Sequence, residues 1–282
     1  MTADLSTDEE RRRFLRYTRT RSWPMLGRFP VSDDLHDALL AQMLAGAPET
    51  VRSLLDSLRA QTRATAARML TDERYRHAVA TLPFRAGDRI VAVGDSITAD
   101  RLGWFDLLAA SVELAGAPQA GLVNLSVSGN TTADALERFD LLEAAQPTRV
   151  LLMLGTNDAR AHGRTRHHRM VTPPETERNV RALIDLITHD LHAPVTVITP
   201  PAVDQDRIDA FFTGAPLHWR ADAVAEVAAA VRKAAPDAID LHESLDVRGG
   251  HDLLEDDGVH PTPAGQRIIL THVVDQLRSA PE

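Results

Sequence analysis

Residues 90–98, Ile90-Val91-Ala92-Val93-Gly94-Asp95-Ser96-Ile97-Thr98, decide the fold. The apolar run from Ile90 to Val93 predicts a buried strand. Gly94-Asp95-Ser96 ends that run, and a helical pattern begins near Ala99. A serine on a strand-to-helix turn lies at the C-terminal edge of a sheet, where open α/β sheets bind ligands. The start of a helix also presents backbone N–H groups that favour a developing negative charge. Ser96 therefore has the address of a nucleophile. A helix cap is the competing reading, because a serine before a helix commonly satisfies backbone donors.

Downstream of Arg85, short β-rich apolar runs alternate with helical stretches. Strands are predicted near 89–94, 122–127, 150–154, 195–199 and 238–241. Helices are predicted over about 99–115, from Thr132 to Ala145, over 174–190, 217–234 and 263–278. A long loop is expected at 159–173 and an irregular segment at 202–216. This alternation implies βαβ units, hence a parallel sheet of about five strands with helices on both faces.

Upstream, residues 1–86 carry helical patterns and no strand pattern. Ser6 and Glu9 fit a capping box. Arg11-Arg12-Arg13 follow as a solvated helix face. Prolines 24 and 30 mark a loop. A further helix starts at Ser32 or Asp33, and another at Pro48 with an apolar stripe through Val51, Leu54, Leu55, Leu58, Ala66, Met69 and Leu70. The chain thus divides into an all-helical N-terminal extension, 1–86, and an α/β domain, 87–282. The extension is expected to be a cap, a lid or a homodimerisation surface.

Composition narrows the function. The chain has 282 residues, enough for one sizeable core plus an appendage. A net charge of −9 argues against a duty built on nucleic acid. The absence of cysteine excludes disulfides, a thiol nucleophile and cysteine metal sites. Neither an apolar signal core nor a run long enough to span a bilayer is present, so a cytoplasmic protein with no membrane insertion is expected.

Each early strand is followed by a polar, glycine-containing turn: Gly94-Asp95-Ser96, Ser128-Gly129-Asn130-Thr131-Thr132, and Gly155-Thr156-Asn157-Asp158. In a parallel sheet these turns share one edge. Asp257-Gly258-Val259-His260-Pro261, before the last helix, should open onto that edge too. A hydroxyl needs an adjacent base to act as a nucleophile. The His260 imidazole can be that base, and Asp257, three residues away, can orient one ring nitrogen while the other faces Ser96. The Ser96 and Gly129 amides and the Asn157 side chain can hold an oxyanion.

With these residues in place, the chain resembles the SGNH hydrolases, the GDSL esterase/lipase family. Gly94-Asp-Ser-Ile97, Gly129, Gly155-Thr-Asn-Asp158 and Asp257-Gly-Val-His260 match its blocks in order, over about residues 88–280. The resemblance implies Ser96 as nucleophile, Asp257 and His260 as its catalytic partners, and Gly129 and Asn157 as oxyanion donors. It also implies a flavodoxin-like α/β/α sandwich, no metal or organic cofactor, and a small-molecule ester or thioester as substrate. Acyl transfer to an alcohol or amine, and a non-catalytic binding module on the same fold, are the alternative readings.

Several neighbours are expected to play supporting roles. Asp95 should hold its turn, and Asn130 and Asp158 should brace loops. Asp100 and Arg101 depart from the family pattern and are expected to shape the acyl pocket. Arg160, His162, Arg164, Arg166, His167, His168 and Arg169 form a basic run, either a solvated loop or a clamp for an anionic group. His162, His167 and His168 lack zinc-ligand spacing. Trp104 and Phe105 are expected in the core, and Phe211, Phe212 and Trp219 in the core or lining an acyl pocket.

Overall fold

Five helices precede the first strand among the residues described by the computed structural model, which are 5, 7–116, 119–162, 165, 168–244 and 253–279. They are α1 (Asp8–Tyr17), α2 (Pro24–Gly27), α3 (Asp33–Met43), α4 (Pro48–Met69) and α5 (Glu73–Ala80). Then follow β1 (Arg89–Gly94), α6 (Ser96–Ala99), α7 (Trp104–Ala115), β2 (Gly121–Asn124), α8 (Thr132–Glu137), α9 (Phe139–Ala144) and β3 (Arg149–Met153). After two short strands, β4 (Ala161–His162) and β5 (His168–Arg169), come α10 (Pro173–Asp185) and β6 (Val195–Ile198). The chain closes with α11 (Gln205–Phe211), β7 (Leu217–His218), α12 (Ala221–Ala234), α13 (Leu241–Ser244) and α14 (Pro263–Ser279).

The main sheet is parallel, ordered β2-β1-β3-β6. Its inner strands carry apolar residues on both faces because both faces are covered. Side-chain alternation sends Ile90 and Ala92 into one core with α5, α7 and α14. It sends Val91 and Val93 into the other, with Ala135, Leu142, Val180, Leu183 and Val231 from the helices opposite. This is the expected α/β/α sandwich. Trp104 and Phe105 are fully buried in the first core, as expected.

The N-terminal helices build a separate apolar cluster. Leu15 of α1, Leu40, Ala41 and Leu44 from α3 and its end, and Val51 and Leu58 of α4 close around Leu102, just past α6. Helix α5 instead contributes Tyr75, Ala78 and Val79 to the core beneath the sheet.

Differences from the expected elements have local causes. The fifth strand is reduced to one parallel bridge, Ile239 on Ile198. Asp240 accepts from Thr199 Oγ1 and from the Glu243 N–H, which turns the chain into α13 at once. Strand β2 ends at Asn124, although the Leu125 and Val127 N–H groups still donate to Ala92 and Gly94 carbonyls. The helix expected over 99–115 is broken between α6 and α7, where Asp100 accepts from the Leu102 N–H. The helix expected to run from Thr132 to Ala145 breaks at Arg138. The long loop after β3 holds β4 and β5, an antiparallel pair whose β4 also pairs with β7, so the helix expected at 217 starts at Ala221 instead. The first helix is capped by Thr7 and Glu10 in a capping box; Ser6 lies outside the described residues. Among the described residues no helix is long and apolar enough to cross a membrane.

Candidate active site

The strand-to-helix turn at the end of β1 places Ser96 as the first residue of α6. Asp95, not Ser96, is the cap: its carboxylate accepts from the Ile97 N–H at 3.0 Å. Burial pushes the Asp95 carboxyl up to about 6, against the Ile97 amide and the His260 charge, which favour its ionised form. The cap role being taken, the Ser96 hydroxyl is left for another partner.

That partner is His260. Its Nε2 lies 2.9 Å from Ser96 Oγ, and its Nδ1 lies 2.8 Å from Asp257 Oδ2. With Nδ1–H donating to the carboxylate, Nε2 accepts from the serine hydroxyl. The other oxygen of Asp257 accepts from the Val259 and His260 N–H groups, each at 2.9 Å. The loop is tight: Gly258 has φ +69°, and a Cβ there would lie 2.5 Å from the Asp204 carbonyl. Burial opposes ionisation of Asp257, but the His260 hydrogen bond and charge and the two amides outweigh it, bringing the carboxyl down to about 2. Burial also disfavours the imidazolium of His260. The hydrogen bond and charge of Asp257, with Asp95 and Asp100 behind it, win and hold the imidazole above its ordinary value.

The neighbouring turns converge on the same edge. Val127 N–H donates to Gly94 O at 3.1 Å, tying the second turn to the first. Asn157 Nδ2 donates to Asn130 O at 3.2 Å, tying the third to the second. Gly129 takes φ +84°, a left-handed conformation suited to glycine. Among the described residues, neither the Ser96 nor the Gly129 N–H donates to a protein acceptor. Asp158, buried, accepts from the Thr132 amide and hydroxyl and from Thr176, so it braces α8 and α10 as expected.

Asp100 and Arg101 do not shape the pocket as expected. Asp100 is fully buried and accepts from Arg16 through both oxygens, at 2.7 and 2.6 Å. Arg101 donates to the carbonyls of Leu15 and Thr18, both at 3.0 Å. Both residues are turned to the N-terminal segment because α1 packs against α6 and brings its own charges there. Arg16 also pairs with Glu255 at 2.8 Å, just before the Asp257 loop. Tyr17 lays its ring 5.1 Å from the imidazole of His260, centroid to centroid.

Arg160 and Trp219 lie on the other rim. Trp219 is buried and donates from Nε1 to the Thr156 carbonyl at 2.9 Å. The Arg160 guanidinium lies over its ring, 5.9 Å from the centroid. Phe212 packs on Trp219, and Phe211, 45% exposed, packs on Phe212. Of the basic run, Arg164, Arg166 and His167 lie outside the described residues, and Arg169 pairs with Glu226.

Three residues of the site went unread in the sequence. Arg16 and Tyr17 sit in a helix whose pattern signals only amphipathicity. Arg138, buried, donates to Asn130 Oδ1 and Leu125 O, both at 2.6 Å, and so holds the loop that holds Asn157. Its one signal was a cation in the middle of an apolar helical stripe.

A family model described as GDSL-like lipase/acylhydrolase matches residues 92–268. Comparison with curated proteins gives no match. Among solved structures, the chain is similar to LAE5, an α/β hydrolase enzyme from the metagenome of Lake Arreo, Spain. The two are 24% identical with a TM-score of 0.55, covering 69% of this chain and 96% of that one. It is similar to the acetyl xylan esterase AlAXEase at 22% identity and a TM-score of 0.54, covering 66% and 98%. It is also similar to a GDSL-like lipase from Parabacteroides merdae at 20% identity and a TM-score of 0.56, covering 70% and 98%. At these identities the likeness is one of fold.

Proposed function

The chain belongs to the GDSL-like lipase/acylhydrolase family and is a hydrolase, and on that premise we propose that it is a serine esterase acting through Ser96, His260 and Asp257. The observation that carries this reading is the continuous relay from Asp257 Oδ2 through His260 to Ser96 Oγ, with contacts of 2.8 and 2.9 Å. Ser96 Oγ attacks the ester carbonyl carbon while His260 Nε2 takes the hydroxyl proton. The C–O bond to the leaving group then breaks, and His260 returns the proton to the departing alcohol. Water attacks the acyl-enzyme by the same path in reverse, and Ser96 is regenerated. Asp257 fixes the ring and offsets the imidazolium charge; it stays ionised throughout.

The oxyanion formed in each step needs donors that cost no reorganisation. The Ser96 and Gly129 N–H groups and Asn157 Nδ2 supply them in this reading. Support comes from the two amides, which have no acceptor among the described residues, and from the Asn130 carbonyl that orients the Asn157 amide.

Ser96→Ala tests the assignment. Turnover of p-nitrophenyl acetate should disappear while the circular dichroism spectrum stays that of the parent, and a fluorophosphonate probe should label the parent only. Undiminished turnover in the variant sinks the reading.

A further inference from the structure

The ester chemistry above makes no use of the Arg160 guanidinium on the rim of the site. Its backbone is pinned: the N–H donates to Asn157 O at 3.2 Å and the carbonyl accepts from Met170 N–H at 2.9 Å. Its head rests on the Trp219 ring, and that ring is itself anchored to Thr156. A Cβ placed on Gly129 would lie 3.9 Å from Arg160 Nη1, so the cation stands directly beside an oxyanion-hole candidate. Among the described residues no carboxylate or carbonyl accepts from this guanidinium.

Arg85 and Arg149 also lack a carboxylate among the described residues, but they lie before β1 and at the start of β3, at the opposite end of the sheet from the Gly129 turn. Arg16, Arg19, Arg28, Arg169 and Arg232 each hold a carboxylate. The acid that acts on Arg160 at longer range is Asp134, and Asp134 is committed to the N–H and hydroxyl of Thr131 in a capping box. Half-burial disfavours the cation, and among the described residues no carboxylate offsets that cost at close range. A planar fork of donors, held by an aromatic face and left without an acceptor, matches a bidentate anion. Beyond it the Trp219–Phe212–Phe211 row offers an apolar surface with its outer ring exposed.

We infer that Arg160 forms an anion subsite beside the oxyanion hole, so that the preferred substrate is an ester carrying a carboxylate or phosphate group. The inference rests on the serine-esterase reading. The anion accepts from the guanidinium while the ester carbonyl sits between Ser96 and the Gly129 amide, which fixes one end of the substrate against the other. Arg160 then acts on specificity, not on bond breaking.

The test compares kcat/KM within matched pairs. With the charge on the leaving group, 4-acetoxybenzoate and 4-acetoxyphenyl phosphate are set against methyl 4-acetoxybenzoate. With the charge on the acyl group, mono-4-nitrophenyl adipate is set against 4-nitrophenyl hexanoate. One anionic member should exceed its neutral partner by about 10-fold, the size of one charge-assisted hydrogen bond, and the pair that shows it tells carboxylate from phosphate and acyl from leaving group. Arg160→Gln should erase that ratio, and Arg160→Lys should keep part of it. In the parent protein the ratio should also fall as salt is raised to about 0.5 M, a readout that needs no variant. Ratios near one in every pair, or a preference that Arg160→Gln and salt leave alone, overturn the subsite while Ser96-dependent turnover stands. If no ester of the set is turned over, the esterase reading fails and the subsite falls with it.

Discussion

His260 is touched from two sides by parts of the chain with different physical characters. The α/β side gives it Ser96 and Asp257, held by backbone amides, a tight glycine turn and a cap, all within short stretches of sequence. The N-terminal side gives it the ring of Tyr17, and behind that ring Arg16 joins Asp100 on the nucleophile turn to Glu255 on the acid–base loop. The first set is local chemistry that any such turn needs. The second is a long-range brace: Arg16 and Glu255 are 239 positions apart in the chain. A reacting group is judged by what it does to the barrier, and a brace by what it does to the fold and the electrostatics around it. The two sides should therefore fail differently when altered.

The largest failure belongs to the α/β side. Asp257→Asn preserves size and an oxygen that can accept from the Val259 and His260 amides. The new NH2 then faces His260 Nδ1 and demands the tautomer with the proton on Nε2, where no proton can be taken from Ser96. A loss of about 10⁴ in kcat is expected on p-nitrophenyl acetate, with urea unfolding showing a folded, cooperative protein. A loss below 10-fold would mean that the relay is not the engine.

This division also explains what the sequence disclosed. The β1 strand, the Ser96 turn and the Asp257–His260 loop were legible because each is written in adjacent residues: an apolar run, a glycine, a polar turn. The layers of the sandwich were legible for the same reason, through alternation of strands and helices. The fifth strand was misread because Ala238-Ile239 has strand character, yet the carboxylate of Asp240 bends the chain away after one bridge. Asp100 and Arg101 depart from the expected pocket role because nearness in sequence to Ser96 does not bring their side chains to the substrate edge. Their side chains answer to α1, some 84 residues upstream, and no local pattern records that. Arg16 and Tyr17 were invisible for the converse reason.

The N-terminal side should lose stability before activity. Arg16→Met strips the counter-ion from the fully buried Asp100, and removing one partner of a buried pair costs about 3–5 kcal/mol. Asp100 can relieve this by taking up a proton, since its burial already favours the neutral form. The sign follows: the folded pKa of Asp100, already raised by burial in the parent, rises further without Arg16, so the variant is least impaired at acid pH. The deficit grows as pH rises from the parent's folded pKa towards the variant's and levels off above it. Urea titrations of variant and parent across the acid-to-neutral range measure this. A deficit independent of pH would show that Arg16 acts through packing alone.

The smallest effect expected is from Arg13, which separates buried bracing from surface charge. Its guanidinium lies 3.6 Å from Asp257 but is 55% exposed, so the pair is screened and worth at most about 1 kcal/mol. In the parent, His260 is held above its ordinary 6.5, and catalysis needs the neutral ring, so the acidic limb of the rate profile should lie above that value. Any stability that the charged imidazole lends is present at low pH and is lost as pH rises through this same ionisation, so the enzyme works on the side where it has been given up. Arg13 is a cation near the ring, and Arg13→Gln removes its repulsion of the imidazolium. The limb should move upward by a few tenths of a unit, with kcat at the plateau unchanged within about two-fold. A downward shift would reverse the sign of the Arg13 contribution. A shift as large as a full unit would make this exposed helix face part of the triad's own electrostatics, and the line between the two sides would have to be redrawn through α1.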